Sequence, residues 1–238
     1  MKQNTAVLSL LAVGAIGLSS IAPAQVTRQG NGYTLRVKYQ TGQTIKYTLA
    51  NSMVTPGAKS PAPAMSIPMT IRVVSVTKGV ATLEASIGPV PGQGKPQTQQ
   101  MKMDSRGRVV GGPAAGLQSL SGVAMPDKAV TVGQTWKDTA QVPSPMGPIS
   151  TTTSYKFLGI RTVGGKSVAE LSMSMSGKGS SLSMNGSGRL QILVSDGTLY
   201  GMTMTQKAML PGNMGGPAGG KTPSKPMTFD TLVKITRN

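Results

Sequence analysis

Apolar and polar residues alternate with a period of two along most of this chain, and no segment after residue 24 keeps an apolar period of 3.6 residues. Period two places successive side chains on opposite faces of a strand. The clearest case is residues 167–175, whose apolar positions are Ala169, Leu171, Met173 and Met175. Such a segment is typical of a half-buried antiparallel strand. The pattern therefore predicts a mainly β, antiparallel protein.

Glycine, proline, asparagine and aspartate residues separate further alternating segments, as they do between strands. Asp196-Gly197 has the composition of a two-residue hairpin turn, because glycine accepts the positive φ that such turns require. At most one helix is expected, a short one at residues 114–121. The remaining strands are predicted near residues 33–39, 43–54, 67–77, 80–87, 98–104, 148–162, 182–195, 198–209 and 227–236.

Three sequence landmarks recur in the same order at nearly one spacing. The tripeptide Gly-Gln-Thr opens a strand at residues 42–44 and again at 133–135, and the stretch 74–84 matches 160–170. An Asp-containing turn at Asp104 likewise returns at Asp196. Self-similarity at a fixed period indicates repeated architecture, although antiparallel proteins also reuse glycine-centred turns.

We therefore predict one β domain over residues 25–238. It contains two similar halves, about 33–111 and 125–209, and a C-terminal strand at 227–236. Neither half alone covers its apolar face, so the two are expected to cooperate. They would form one curved sheet, a partly open barrel or two packed sheets.

The first 24 residues have the organisation of a secretory signal peptide. Lys2 supplies the positive start, an apolar run extends from Ala6 to Leu18, and Ala22 and Ala24 form the small-x-small cleavage site. The run is shorter than the roughly 20 residues that span a bilayer. No cysteine is present to carry a lipid. The prediction is a secreted protein of the bacterial periplasm or exterior, not a lipoprotein, with no transmembrane segment in the mature chain.

Acidic residues are unusually scarce. Seven Asp and Glu against 24 Lys and Arg give a net charge of +17 at pH 7. Charged residues make up 13% of the chain, against about 25% in typical domains, so the protein is acid-poor rather than rich in bases. The bases are also scattered, so we predict no nucleic-acid binding. The positive field favours a lipid or another anionic envelope component as partner.

The chain has no histidine and no cysteine, which removes the Ser-His-Asp triad and the usual zinc sites. Glu84 and Glu170 occupy equivalent places in the two halves, but both share their strand face with serine or threonine. They are therefore predicted to be solvated acids rather than a catalytic pair. We predict no enzyme activity, no catalytic residues and no cofactor.

Two stretches resemble a known family. Residues 125–136, Met-Pro-Asp-Lys-Ala-Val-Thr-Val-Gly-Gln-Thr-Trp, resemble the central signature of an uncharacterised family of exported bacterial β-rich proteins (domain of unknown function, series number 6263). Residues 103–109 are similar to that family's other marker, and residues 155–169 follow in the family's order. The resemblance implies export and a β-rich fold, and it carries over no site residues. Many members are lipid-anchored, from which this chain departs because it lacks cysteine.

Methionine is the chemically distinctive residue, with 16 copies. Three Met-x-Met pairs occur, and period two places both sulfurs of a pair on one strand face. Methionine adapts to irregular apolar shapes, so these faces form either a closed core or a concavity for a ligand. Thioether sulfur also suits Cu(I). The pairs are Met101 and Met103, Met173 and Met175, and Met202 and Met204.

These observations predict an exported, non-enzymatic binding protein of the bacterial envelope. It would hold an apolar or amphipathic ligand in a concavity lined by the six paired methionines. The alternative is a structural or interaction module with a closed core and no small ligand. The third hypothesis is Cu(I) binding at the same methionines.

Overall fold

The computed structural model describes residues 25–54, 64–89, 95–111, 123–142, 147–179, 182–210 and 227–238. No helix occurs among these residues, so none in the described part of the chain is a candidate to cross a membrane. The predicted helix at 114–121 and the predicted signal peptide at 1–24 lie outside the described residues.

The described residues form thirteen strands: β1 (Val26–Gln29), β2 (Gly32–Leu35), β3 (Thr44–Val54), β4 (Met65–Thr77), β5 (Val80–Ile87), β6 (Gln97–Asp104), β7 (Val109–Gly111), β8 (Thr135–Val142), β9 (Ile149–Val163), β10 (Lys166–Lys178), β11 (Ser183–Leu193), β12 (Leu199–Leu210) and β13 (Met227–Arg237).

Eleven of these strands form one antiparallel sheet in the order β7-β6-β5-β4-β3-β13-β12-β11-β10-β9-β8. Within β3–β7 and within β8–β13, consecutive strands are neighbours in the sheet, and β13 also pairs with β3, which joins the two groups. The edges β7 and β8 do not pair with each other, so the sheet is open rather than closed into a barrel. The prediction of a mainly β, antiparallel fold is confirmed, and β13 joins the two meanders into one sheet.

The turns that open β3 and β8 have the same hydrogen bonds. Gly42 and Gly133 have φ angles of +83° and +88°. Their N–H groups donate to the carbonyl oxygens of Val73 (2.9 Å) and Phe157 (2.8 Å) on the next strand. The glutamine after each glycine accepts, through Oε1, the N–H of the residue three positions before it. The repeated Gly-Gln-Thr tripeptide is thus one local structure used twice.

A two-stranded sheet of β1 and β2, together with residues 36–39, lies against the large sheet. Leu35 is fully buried there. Two N–H groups of residues 36–39 donate to the carbonyl oxygens of Ser105 (2.7 Å) and Asp196 (2.8 Å), which belong to the two equivalent Asp-containing turns. The strand predicted at 33–39 therefore ends at Leu35, because the residues after it bond to turns rather than to a neighbouring strand.

One face of the large sheet, here called the inner face, carries the core. The β1–β2 sheet and residues 123–130 cover it over β9, β10 and β11, where Phe157, Leu171 and Ile192 are fully buried. Further core clusters lie over β4–β6 and around β3 and β13. The opposite face, the outer face, carries exposed basic side chains: Lys46, Arg72, Lys102, Arg189, Lys207 and Lys234. This division follows directly from the period-two pattern.

Candidate binding cavity

The inner face of β8–β13 lines a partly open cavity with a volume of about 260 Å³. Most of its lining is apolar, and three adjacent strands contribute methionines to it. Two of the predicted Met-x-Met pairs meet here because β10 and β12 flank β11 and present the same face. The five lining methionines are Met173 and Met175 on β10, Met184 on β11, and Met202 and Met204 on β12.

Glycines on β10 and β11 allow two of these methionines to approach closely. Gly177 pairs with Met184, and Gly188 pairs with Met204. A Cβ atom at Gly177 would lie 2.5 Å from Cγ of Met184, and one at Gly188 would lie 2.8 Å from Cα of Met204. Real side chains do not approach this closely. The side chain of Met184 therefore lies over Gly177, and Gly188 lets the backbone of β12 at Met204 approach β11 closely.

Strands β8 and β9 supply the polar wall of the cavity, through Asp138, Thr153 and Tyr155. Asp138 is the one carboxylate among the described residues that line the cavity. Burial raises the pKa of Asp138, and the positive charges of Arg106 and Arg108 oppose that shift. The cavity thus combines an apolar body with one acidic group at its side.

Aromatic contacts hold this wall against the cover of the core. The ring of Tyr155 stacks on Trp136 with centroids 5.5 Å apart and planes at 23°. Trp136 Nε1 donates to the carbonyl oxygen of Ala124 at 2.7 Å. Burial raises the pKa of Tyr155 to about 12, so its phenol is neutral at physiological pH. These contacts connect the polar wall to residues 123–130.

The third predicted pair, Met101 and Met103, lies elsewhere. Both residues are buried in the cluster over β4–β6, and Tyr39 Oη donates to Sδ of Met103 at 3.6 Å. They line a void of about 50 Å³, far below the roughly 300 Å³ at which ligand pockets usually begin. This pair contributes to a packed core, whereas the other two pairs line a cavity near that lower bound.

Sequence reasoning missed Met184 and Asp138. Met184 has no Met-x-Met partner, and none of the predicted sites includes Asp138. Asp138 alternates with Trp136 and Ala140 along β8, so its position on an apolar strand face was the available indication. Asp138 lies in the cavity because β9 and β10 also line it. The local periodicity of β8 does not predict which strands are its neighbours.

Glu170 is not the solvated acid that the sequence predicts. Its side chain is 9% exposed, and its Oε1 accepts from Arg161 Nη2 at 2.6 Å and from Arg189 Nη1 at 3.4 Å. Alternation places it correctly on the outer face, but arginines from both neighbouring strands cover it. Its counterpart Glu84 is half-buried.

No group of three or more His, Cys, Asp or Glu residues in the described part of the chain is arranged to hold a metal ion. Cu(I) binding would use a different ligand set, the thioethers of the cavity. That hypothesis therefore stays a prediction for Met173, Met175, Met202 and Met204.

No family model and no curated protein matches the sequence. Among solved structures, the chain is similar to the crystal structure of Rv2717c from M. tuberculosis, with 11% sequence identity and a TM-score of 0.28. The similarity covers 81% of this chain and 91% of that chain. A TM-score this low supports no inference about fold or function. The family resemblance of residues 125–136 stays a prediction.

Proposed function

We propose that this protein is an exported, non-enzymatic binding protein that holds an apolar or amphipathic ligand in the methionine-lined cavity. One observation carries the proposal: five methionines from three adjacent strands line about 260 Å³ of space instead of filling it. Protein interiors normally leave few voids larger than a water molecule. An apolar cavity of about 150 Å³ already accepts a benzene-sized guest, so the volume suits a short aliphatic or aromatic segment.

The polar wall would orient such a ligand. Ligand sites are mostly apolar and use a small number of placed polar groups for orientation. Here the methionines lie on β10–β12, and Asp138 and Thr153 lie on β8 and β9. An amphipathic ligand would therefore place its apolar body over the methionines and a hydrogen-bonding end near Asp138.

The predicted signal peptide supports a location in the envelope. Cleavage between residues 24 and 25 would leave β1 close to the new N-terminus, since β1 begins at Val26. The mature chain would then begin with the strand that helps to cover the core. Mass measurement of the protein recovered from its host's envelope fraction tests this part of the proposal.

Filling the cavity tests ligand binding. Met173→Trp adds bulk to the cavity wall, and Met209→Trp adds the same bulk on an exposed outward position of β12. We expect Met173→Trp to weaken binding of the apolar fluorescent probe N-phenyl-1-naphthylamine by about tenfold, since about 1.4 kcal/mol of apolar contact gives that factor. Met209→Trp is expected to bind like the wild type. Native mass spectrometry of wild-type protein is expected to show a co-purifying adduct.

Equal probe binding by both variants, with no adduct in the native spectrum, would contradict the proposal and favour a module without a small ligand.

Cu(I) titration under reducing conditions tests the third hypothesis, metal binding by the paired methionines. A metal site in the cavity predicts that the Met173→Leu/Met175→Leu variant loses Cu(I) while the Met101→Leu/Met103→Leu variant retains it. The second variant is matched in chemistry and lies in the packed core.

A further inference from the structure

The outer face of β9–β13 contains a groove of about 540 Å³, on the other side of the strands that line the cavity. Among the described residues, three cationic side chains line it from the outer face, and one carboxylate, Glu170, lies among them. Hydroxyl groups of serine, threonine and Tyr200 supply much of the remaining polar lining. The cations are Arg161, Arg189 and Lys234. Arg237 also borders the groove, but it pairs with the buried Tyr47 and its guanidinium bonds to Thr198, so it points toward the inner face.

Strand register places two of these cations on one row. Arg189 pairs with Thr203, and Thr203 pairs with Lys234. The backbones of Arg189 and Lys234 are therefore two strand spacings apart, about 10 Å. On the next row Gly201 pairs with Gln191, and an added Cβ there would approach Gln191 Oε1 only to 3.5 Å. The floor of the groove is open because Gly201 has no side chain.

The groove retains positive charge after its ion pairs are counted. Arg161 and Arg189 share the single carboxylate of Glu170. Lys234 forms no ion pair with any Asp or Glu of the described residues, which contain all seven acidic residues of the chain. In the groove, the three cations Arg161, Arg189 and Lys234 are thus opposed by one carboxylate, Glu170.

We propose that this groove binds a phosphate group, as a phosphomonoester or phosphodiester, over Thr203 and Gly201. Guanidinium groups recognise phosphate through paired N–H donors, and lysine adds a compact charge. Glu170 already orders the side chains of Arg161 and Arg189, which lowers the entropy cost of binding. This site lies on the opposite face from the cavity and does not depend on the function proposed for it.

The test uses two probes with the same chemistry, glycerol 3-phosphate in calorimetry and phosphatidylglycerol vesicles in sedimentation. Neutral phosphatidylcholine vesicles serve as the blank. In about 0.1 M salt, charges more than about 10 Å away are largely screened. We expect Arg189→Gln/Lys234→Gln to weaken binding by about tenfold, because two charge-assisted contacts are lost. Lys46→Gln/Arg72→Gln removes the same charge from β3 and β4, outside the groove, and is expected to change binding less than about twofold.

A second variant keeps the charge constant. Gly201→Val places a side chain on the groove floor and is expected to weaken binding while the melting temperature stays close to that of the wild type. Binding of both probes, or of glycerol 3-phosphate alone, supports a phosphate-ester site, and binding of vesicles alone assigns the phosphate to a lipid headgroup. Binding of neither probe overturns the proposal. Equal losses in the two charge variants also overturn it, since the net field would then be responsible.

Discussion

Two glycines lie so close to the segments that cover the core that a side chain would not fit. Gly197 has a φ of +71°, and a Cβ there would lie 1.8 Å from the carbonyl oxygen of Arg36. Gly107, in the equivalent turn, has a φ of +75°, and its Cβ would lie 2.7 Å from the carbonyl oxygen of Val123. Both the dihedral angle and the close approach require glycine. The two turns hold the cover from opposite sides.

At the scale of single residues, we predict that Gly197→Ala lowers the free energy of unfolding by roughly 3 kcal/mol or more. The segment that covers the core must move away from the new Cβ atom, and alanine is strained at this positive φ. Gly30→Ala is the control, since Gly30 has a φ of +56° with no atom within 4 Å of the added Cβ. It is expected to cost only about 1–2 kcal/mol. Urea unfolding followed by the fluorescence of Trp136, the single tryptophan, measures both. Equal losses would show that the contact with Arg36 is unimportant.

At the scale of elements, one carboxylate organises the turn between β6 and β7. Asp104 Oδ1 accepts from the N–H groups of Arg106 (2.9 Å) and Arg108 (3.0 Å). Its Oδ2 accepts from Arg108 Nε (2.8 Å) and Nη2 (2.7 Å). Burial alone would raise the pKa of Asp104, but these hydrogen bonds outweigh it and lower the pKa. The turn is therefore most stable when Asp104 is ionised.

The pH dependence follows from the direction of the shift. A carboxyl whose pKa is lowered by folding contributes stability that is complete above its ordinary pKa of 3.8. This stability is lost as the pH falls below 3.8 and through the lower pKa of the folded state. The stability difference between wild type and Asp104→Asn is therefore expected to shrink from pH 7 to pH 3.

Asp138 has a raised pKa, so the wild-type protein loses the stability contributed by this carboxyl as the pH rises. The free energy of unfolding of Asp138→Asn, compared with that of the wild type, is therefore expected to increase from pH 3 to pH 7. Urea unfolding across this pH range would contradict the assignment if both variants changed in the same direction.

Most elements could be predicted from the sequence. The period-two pattern of β10 and the glycine turns before β3 and β8 are local features, and the structure contains both. Strands β1 and β7 were missed because four and three residues are too few to display alternation. The shared face of Met173 and Met175 was predicted for the same local reason. Asp138 was not identified, because its role depends on neighbouring strands.

At the scale of the whole molecule, the last strand holds the two meanders together. β13 pairs with β3 on one side and β12 on the other, and Ile235 belongs to the core cluster beside Ile45 and Tyr47. Without β13, β3 and β12 would become unpaired edges in the middle of the sheet. Exposed edges of this kind promote association with other chains.

Deletion of residues 227–238 is therefore expected to abolish the single cooperative unfolding transition and to shift the protein to larger species in size-exclusion chromatography. Deletion of Asn238 alone is the control, because it leaves β13 intact. Differential scanning calorimetry measures the transition. A truncated protein that stays monomeric and unfolds in one transition at the wild-type temperature would show that the meanders are stable without β13.

The sequence by itself determined the antiparallel β class, the turns and the strand face of each methionine pair, because all three depend on residues within a few positions of one another. Only the tertiary structure decided that Met101 and Met103 pack into a core while Met173, Met175, Met202 and Met204 line a cavity. That difference depends on strand register, which sets glycines opposite long side chains. It also depends on where the β1–β2 cover ends. Both features depend on contacts between residues far apart in the chain. The alternation of neighbouring residues carries no information about such contacts.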